Sequence, residues 1–230
     1  MRRLLLFDVD GTLVDVDGAG RAAVRTALTE VYGETGPVDD FSFHGKTDPA
    51  IVRGLLRAAG RDDASIDEGM ERLWSRYLAA LEEELAARDG RIRPCPGVPA
   101  LLDRLVGDDR FELALVTGNV REGAWRKLEA AGVREPFRYG AFGSDAERRD
   151  DLPPLALRRA ERRTGRSFRP SEVWVVGDTP ADVRCARATG VRSLAVATGR
   201  PGREELAAHG PDRLLEDLSA VDRVVELLAS

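Results

Sequence analysis

A short apolar run that ends in two carboxylates and a Gly-Thr turn, Leu4-Leu5-Leu6-Phe7-Asp8-Val9-Asp10-Gly11-Thr12-Leu13, constrains this chain more than any other feature. Four consecutive apolar residues closed by a turn signal read as a buried strand. Side chains two apart in extended backbone share a side, so Asp8 and Asp10 can project together from the carboxyl end of that strand, where open α/β sheets place their ligands. Carboxylates held close repel each other, and one is pushed toward protonation unless a cation keeps both ionised. Magnesium, a hard ion that takes oxygen ligands and keeps several waters, suits such a pair. The arrangement points to chemistry on a phosphate.

At 230 residues the chain can form one large domain or a domain that carries a smaller insertion. Its 43% hydrophobic and 33% charged residues give the balance of a soluble globular protein, and no apolar run approaches membrane-spanning length. No secretion leader is evident, so a cytoplasmic location without a membrane partner is the expectation. A formal net charge of −5 argues against a nucleic-acid partner, which demands a basic surface. The Arg-rich stretch at 158–169 interleaves acids and reads as a solvated amphipathic helix. Cys95 and Cys185 lie far apart and read as ordinary buried thiols, and no zinc-type site can be built from them with His44 and His209. Lys46 and Lys127 are the only lysines, and Lys46 stands beside His44 and Thr47.

Beyond the first strand the periodicity turns helical. Ala23, Ala27, Leu28 and Val31 give a helix over 19–31 that ends near Gly33. Thr47-Asp48-Pro49 opens a second, running through Ile51, Leu55 and Leu56 to Gly60. Leu73, Tyr77, Leu81 and Leu85 form the apolar stripe of a third over 66–88. The turn Arg93-Pro94-Cys95-Pro96-Gly97 closes this block, and strands and helices then alternate. Helices fall at 98–106, 121–131, 155–164, 181–189 and 218–228, and strands at 111–117, 139–142, 172–178 and 192–196. Val173-Trp174-Val175-Val176 is a continuous apolar run, as in parallel strands covered on both faces. The fold class expected is α/β, a doubly wound parallel sheet. Residues 14–93 are too many for a simple crossover and read as an inserted helical cap on a core formed by 1–13 and 94–230.

Two further strand ends carry polar groups. Leu115-Val116-Thr117-Gly118-Asn119 offers a hydroxyl and successive backbone N–H groups ahead of a helix, an arrangement suited to phosphate oxygens. Gly177-Asp178-Thr179-Pro180-Ala181-Asp182 places Asp178 where it can complete a metal's ligands, with Asp182 on the first helical turn facing the same opening. Asp178 or Thr179 also serves as a helix cap, with Pro180 at the first helical position.

Taken together, Asp8-Val9-Asp10-Gly11-Thr12, Thr117-Gly118-Asn119 and Gly177-Asp178-Thr179-Pro180-Ala181-Asp182 resemble three of the four signature motifs of the haloacid dehalogenase-like (HAD) hydrolase superfamily. The resemblance covers nearly the whole chain. Its helical insertion is similar to the type 1 cap of the phosphoglycolate-phosphatase and beta-phosphoglucomutase branch, and Pro94-Cys95-Pro96-Gly97-Val98 resembles the turn that leaves such caps. The resemblance implies a phosphatase with Asp8 as the nucleophile that becomes an aspartyl-phosphate. Asp10 would protonate the leaving oxygen and later help deprotonate water. Mg²⁺ would bind the Asp8 carboxylate, the Asp10 main-chain carbonyl and Asp178, with Asp182 positioning the ion. Thr117, Gly118 and Asn119 would hold the transferring phosphoryl oxygens.

The fourth motif, usually a Lys followed by Pro, is where the sequence departs. Alignment on Pro154-Leu155 puts Arg149 in the lysine position, followed by Asp150, with Arg148 one residue away; Arg and Lys are not interchangeable in such sites. An Arg there, together with Lys46, keeps open a phosphonoacetaldehyde hydrolase-type enzyme that cleaves a C–P bond through a Schiff base on Lys46. A receiver-like signalling module and a silent phosphate-binding relative are the non-enzymatic alternatives. The substrate expected is a small phosphorylated metabolite contacted by His44, Gly45, Lys46 and Thr47, and the sequence is compatible with a monomer or a homodimer.

Overall fold

The apolar run near the amino terminus becomes the central strand of the molecule, because its residues alternate between two apolar layers and none of them meets water. In the computed structural model, which describes residues 2–230, the chain opens with strand β1 (Arg3–Phe7). A two-residue strand β2 (Val14–Asp15) and three helices follow: α1 (Ala19–Tyr32), α2 (Asp48–Ala58) and α3 (Asp63–Ala87). Strand β3 (Arg93–Pro94) leads into the alternating part: α4 (Val98–Val106), β4 (Phe111–Thr117), α5 (Arg121–Ala130), β5 (Gly140–Phe142), α6 (Leu152–Thr164) and β6 (Val173–Gly177). It ends with α7 (Pro180–Ala188), β7 (Arg192–Val196), α8 (Arg203–Ala208), β8 (Arg213–Leu215) and α9 (Val221–Ala229).

Six strands form one parallel sheet in the order β5-β4-β1-β6-β7-β8. Leu5 lies opposite Leu113 on one side and Trp174 on the other. Leu5 and Phe7 pack in the layer that holds Leu101 and Leu105 of α4 and Val224 and Leu228 of α9. Leu4 and Leu6 face Ala156 and Ala160 of α6 and Cys185 and Ala186 of α7. The fold is therefore the doubly wound α/β type. Strand order reverses between β1 and β6, which opens a crevice at their carboxyl ends.

The helices follow from local chemistry. Helix α1 buries Ala19, Ala23, Val24, Ala27 and Leu28 and stops where Gly33, at φ 74°, returns its N–H to Thr29. Thr47 caps α2 by accepting from Ala50 N at 3.2 Å, and Asp62 caps α3 by accepting from Ser65 N at 2.8 Å. Helices α1 and α3 pack against each other, and their apolar residues join the cluster that contains Leu5 and Phe7.

Several elements differ from expectation. Helix α6 begins at Leu152, one turn early, because Pro153 and Pro154 occupy first-turn positions that need no N–H partner. Helix α9 begins at Val221 rather than near Leu218. The β2–β3 ribbon pairs Val14 with Pro94 and Asp15 with Arg93, too short for any alternation to mark it. Helix α8 and edge strand β8 were not anticipated either; β8 is held on β7 and by Ala197 N donating to Leu215 O at 3.0 Å.

The turn before α4 depends on one glycine. Gly97 has φ +83°, and a Cβ there would stand 2.1 Å from the carbonyl carbon of Leu218. Gly97→Ala is expected to cost about 2 kcal/mol or more in urea denaturation, from left-handed strain together with a backbone clash. Gly107, whose nearest neighbour to a new Cβ is 4.0 Å away, is the control, and its Ala variant is expected to stay within about 0.5 kcal/mol of the parent.

Candidate active site

The crevice between β1 and β6 collects acids from both strand ends. Asp8 directly follows β1, with its N–H donating to Val176 O at 2.9 Å, and Asp178 directly follows β6. With Asp182 of α7 they form a buried group whose nearest carboxylate oxygens all lie within 4.8 Å of one another. Arg149, in the single 3₁₀ turn before α6, is the cation among them: its Nη2 lies 3.1 Å from Asp8 Oδ1 and donates to Asp182 Oδ1. Arg148 is exposed, so of the two adjacent arginines only Arg149 enters the site.

The surroundings fix each acid. Asp178 Oδ1 accepts from Thr12 Oγ1 at 3.0 Å. Glycine is required on both sides of it, because a Cβ at Gly11 would stand 2.4 Å, and one at Gly199 1.7 Å, from Asp178 Oδ2. Asp182 Oδ2 accepts from Thr179 N at 3.0 Å and Thr179 Oγ1 at 2.6 Å, so both of its oxygens have protein donors. Burial pushes Asp8 up to about 6, opposed by Arg149 and reinforced by Asp182 and Asp10. Burial, then Asp8 and Asp182, raise Asp178 well above the carboxylate range. Such a group ionises fully only if positive charge is added. Asp8 and Asp178 therefore suit a hard divalent cation, and Asp178 Oδ2 has no protein donor among the described residues.

Asp10 points elsewhere. Its Oδ2 accepts from Asn119 Nδ2 at 2.8 Å and from Lys127 Nζ at 2.6 Å, which leaves Oδ1 without a protein donor among the described residues. Thr117 closes β4, and its hydroxyl accepts from Asn119 N at 3.3 Å. Gly118 is pressed against the loop before α2: a Cβ there would meet Lys46 O at 2.2 Å. The same loop leans on α7, where a Cβ at Gly45 would stand 2.5 Å from that of Ala181. Asp48 N donates to Gly118 O at 2.7 Å and Asp48 Oδ2 accepts from Val120 N at 2.8 Å.

These groups line a cavity of about 660 Å³ that also takes in Arg21, Phe43, His44, Gly45, Lys46 and Arg200. Lys46 is exposed, with Nζ on Ser42 O at 2.9 Å and 5.2 Å from the centre of the Phe41 ring. Thr47 turns away from the cavity, its hydroxyl donating to Glu147 O at 2.6 Å. The structure thus brings Asp8, Asp10, Thr117, Gly118, Asn119, Arg149 and Asp178 to one cavity, with Asp182 behind Arg149 and Lys46 on the rim.

Sequence reasoning missed three participants. Lys127 is buried, and its sign was a lysine between Ala124 and Leu128 on the apolar side of α5. Thr12 read only as a turn residue. Asp48 read only as a first-turn acid of α2. Cys95 and Cys185 are buried and unpaired, and burial pushes each thiol up to about 12.

The family model of the haloacid dehalogenase-like hydrolases matches residues 5–196. A phosphoglycolate phosphatase of Pseudomonas putida is 27% identical over 95% of this chain and 78% of its own length. A phosphoglycolate phosphatase of Synechococcus elongatus is 28% identical over 97% of both chains. A hydrolase from Pseudomonas syringae has a similar solved structure, with a TM-score of 0.75 and 22% identity over 100% of both chains.

Asp48 generates a prediction about stability. Burial pushes it up to about 6 from 3.8, with Lys127 and the Val120 N–H pulling it down and Asp10 pushing it up. The folded form then binds a proton that the unfolded form has lost, so the contribution is complete below about pH 4 and disappears as pH rises through about 6. Asp48→Asn keeps an acceptor for Val120 N and removes the titration. Its stability relative to the parent is expected to improve by about 1 kcal/mol or more between pH 5 and pH 8. Parallel thermal-denaturation curves across that range would contradict the assignment.

Proposed function

We infer that this chain, which belongs to the haloacid dehalogenase-like hydrolase family, is a Mg²⁺-dependent phosphatase of small phosphorylated metabolites that works through a phosphorylated Asp8. The observation that carries the reading is that Asp8, Asp178, Arg149 and Thr117 all line one cavity, with Asp8 paired to Arg149 and close to Asp178. The names of the relatives, phosphoglycolate phosphatases, supply the reaction class.

In this reading Asp8 attacks phosphorus and the ester oxygen leaves with a proton from Asp10, which splits one difficult displacement into two. Asp10 is oriented for that task by Asn119 and Lys127 on one oxygen, which frees the other. Water attacking the aspartyl-phosphate returns its proton to Asp10 and restores Asp8. Thr117 and the N–H groups after it hold phosphoryl oxygens, and Arg149 opposes the charge that builds on them. Asp8 and Asp178, with the Asp10 main-chain carbonyl, would hold Mg²⁺, which when bound supplies positive charge between nucleophile and phosphoryl group. Asp182 acts on Arg149, the partner that both of its neighbours need in place. We read residues 14–93 as the cap on a core of 1–13 and 94–230, with His44 and Lys46 facing the leaving group.

The C–P hydrolase alternative finds less support, since Lys46 is exposed, with Nζ donating to Ser42 O at 2.9 Å, and, among the described residues, lacks a desolvating pocket of the kind that activates a Schiff-base lysine. A receiver-like module is set aside by the family match over residues 5–196. Asp8→Asn is expected to lower phosphate release by about 10³-fold or more while the circular dichroism spectrum is unchanged. Screening phosphorylated metabolites with Mg²⁺ and then with excess EDTA checks the metal requirement. Full activity in the variant would end this reading.

A further inference from the structure

Two buried cations meet acids of the cavity, and they meet different ones. Arg149 is committed to Asp8 and Asp182, whereas Lys127 puts Nζ 2.6 Å from Asp10 Oδ2 and pairs with no other acid among the described residues. The Lys127 side chain is 4% exposed, against 40% for that of Asp10. The ammonium is therefore almost out of water, while the carboxyl group it holds lines the cavity. A lysine is seldom so buried unless it is paired, and this one stands on α5 between Ala124 and Leu128, neither of which meets water.

The surroundings hold this pair in one arrangement. Gly20 of α1 lies against the ammonium, where a Cβ would stand 3.2 Å from Nζ. Asp48 of α2 is a second acid that Lys127 acts on, but its Oδ2 is taken by Val120 N at 2.8 Å. Asn119 Nδ2 donates to the same Asp10 oxygen at 2.8 Å, although this leaves Asn119 Oδ1 buried without a partner. Turning the amide over would set that oxygen against the carboxylate. Both donors thus fall on Oδ2, and Oδ1 has no protein donor among the described residues. An oxygen that already accepts from an ammonium and an amide is a poor place for a proton, so a protonated Asp10 carries its hydrogen on Oδ1.

We infer that Lys127 is a positioning residue for proton transfer to the leaving group: it confines the proton of Asp10 to Oδ1 and stabilises the carboxylate left when that proton departs. The inference rests on the phosphatase reading, which gives Asp10 its part, and adds a consequence for the class of ester that is cleaved. As the bond from phosphorus to the ester oxygen breaks, its electron pair stays on that oxygen, which takes the Oδ1 proton, and the negative charge appears on Asp10 beside Nζ. A basic alkoxide depends on receiving that proton. A nitrophenolate leaves without it. Lys127 therefore matters in proportion to the basicity of the leaving group, and it suits the site to phosphate esters of aliphatic alcohols.

Leaving-group dependence tests this on the whole chain with Mg²⁺ present, using benzyl, phenyl and 4-nitrophenyl phosphate in falling order of leaving-group basicity. Lys127→Met is expected to lower kcat/KM about tenfold or more for benzyl phosphate, less for phenyl phosphate, and about threefold or less for 4-nitrophenyl phosphate, the bulkiest of the three. In Asp10→Asn, which has no proton to give, the same substitution is expected to change benzyl phosphate hydrolysis by less than about twofold. Lys127→Gln keeps a polar end at the buried position and is expected to show the same graded loss; it carries the test if circular dichroism shows the Met variant unfolded. An equal loss for all three esters, or a loss that adds in full to that of Asp10→Asn, overturns the assignment and leaves the phosphatase reading intact. No hydrolysis of any ester by the parent, or hydrolysis that survives Asp8→Asn, overturns the phosphatase reading and with it the step in which Lys127 acts.

Discussion

Three buried carboxylates crowd one guanidinium, which pairs with two of them. Asp8, Asp178 and Asp182 come from two neighbouring strand ends and the helix that follows, and Arg149, in contact with Asp8 and Asp182, is the only cation paired with the group among the described residues. Pairing one arginine with three acids leaves negative charge in a place where water cannot disperse it. The rest of the crevice is shaped by that imbalance. Thr12 and Thr179 donate to the acids, and glycines at 11, 177 and 199 let the backbone come close enough to hold them without a side chain in the way. Such a cluster costs stability unless positive charge is added to it.

A second tier of contacts ties the helical segment to the same crevice. The loop that precedes α2 touches β4 through Gly118 and α7 through Gly45, and Asp48 completes the junction with two hydrogen bonds to the 118–120 turn. Arg53 of α2 extends it by pairing with Glu147 at 3.2 Å, two residues before Arg149. The same helix supplies a partner for Asp63 and Asp67 of α3. Contacts of α2 thus reach to within two residues of Arg149.

Much of this was legible in the sequence, for a physical reason: strand ends are marked by local chemistry. An apolar run followed by Asp8-Val9-Asp10-Gly11, or by Gly177-Asp178-Thr179-Pro180, announces both the strand and the polar group at its tip. Parallel strands place such tips together. Helices α1 to α3 were readable because their apolar spacing is regular, although α3 begins at Asp63, capped by Asp62, one turn before its expected start. What escaped depends on distance through space. Nothing around Lys127 says that α5 carries it to Asp10, and nothing around Asp48 says that its carboxylate meets Val120. The two-residue β2–β3 ribbon and the edge strand β8 escaped because pairing at that length is decided by the partner and leaves no periodicity behind.

The position of β1 bears on how the chain is made. Its ladders run to β4 and β6, so Leu5 finds its lateral partners only at Leu113 and Trp174, and Trp174 is itself tied to the last helix through Leu228 O at 3.2 Å. During synthesis the segment that carries Asp8 is made before either partner strand, with a wholly apolar Leu4–Phe7 stretch unpaired in the interval. Distant pairing of this kind slows folding and exposes a nascent chain to self-association. Arg2 and Arg3 stand immediately before that stretch, the placement at which charged residues hinder self-association of an unpaired apolar strand.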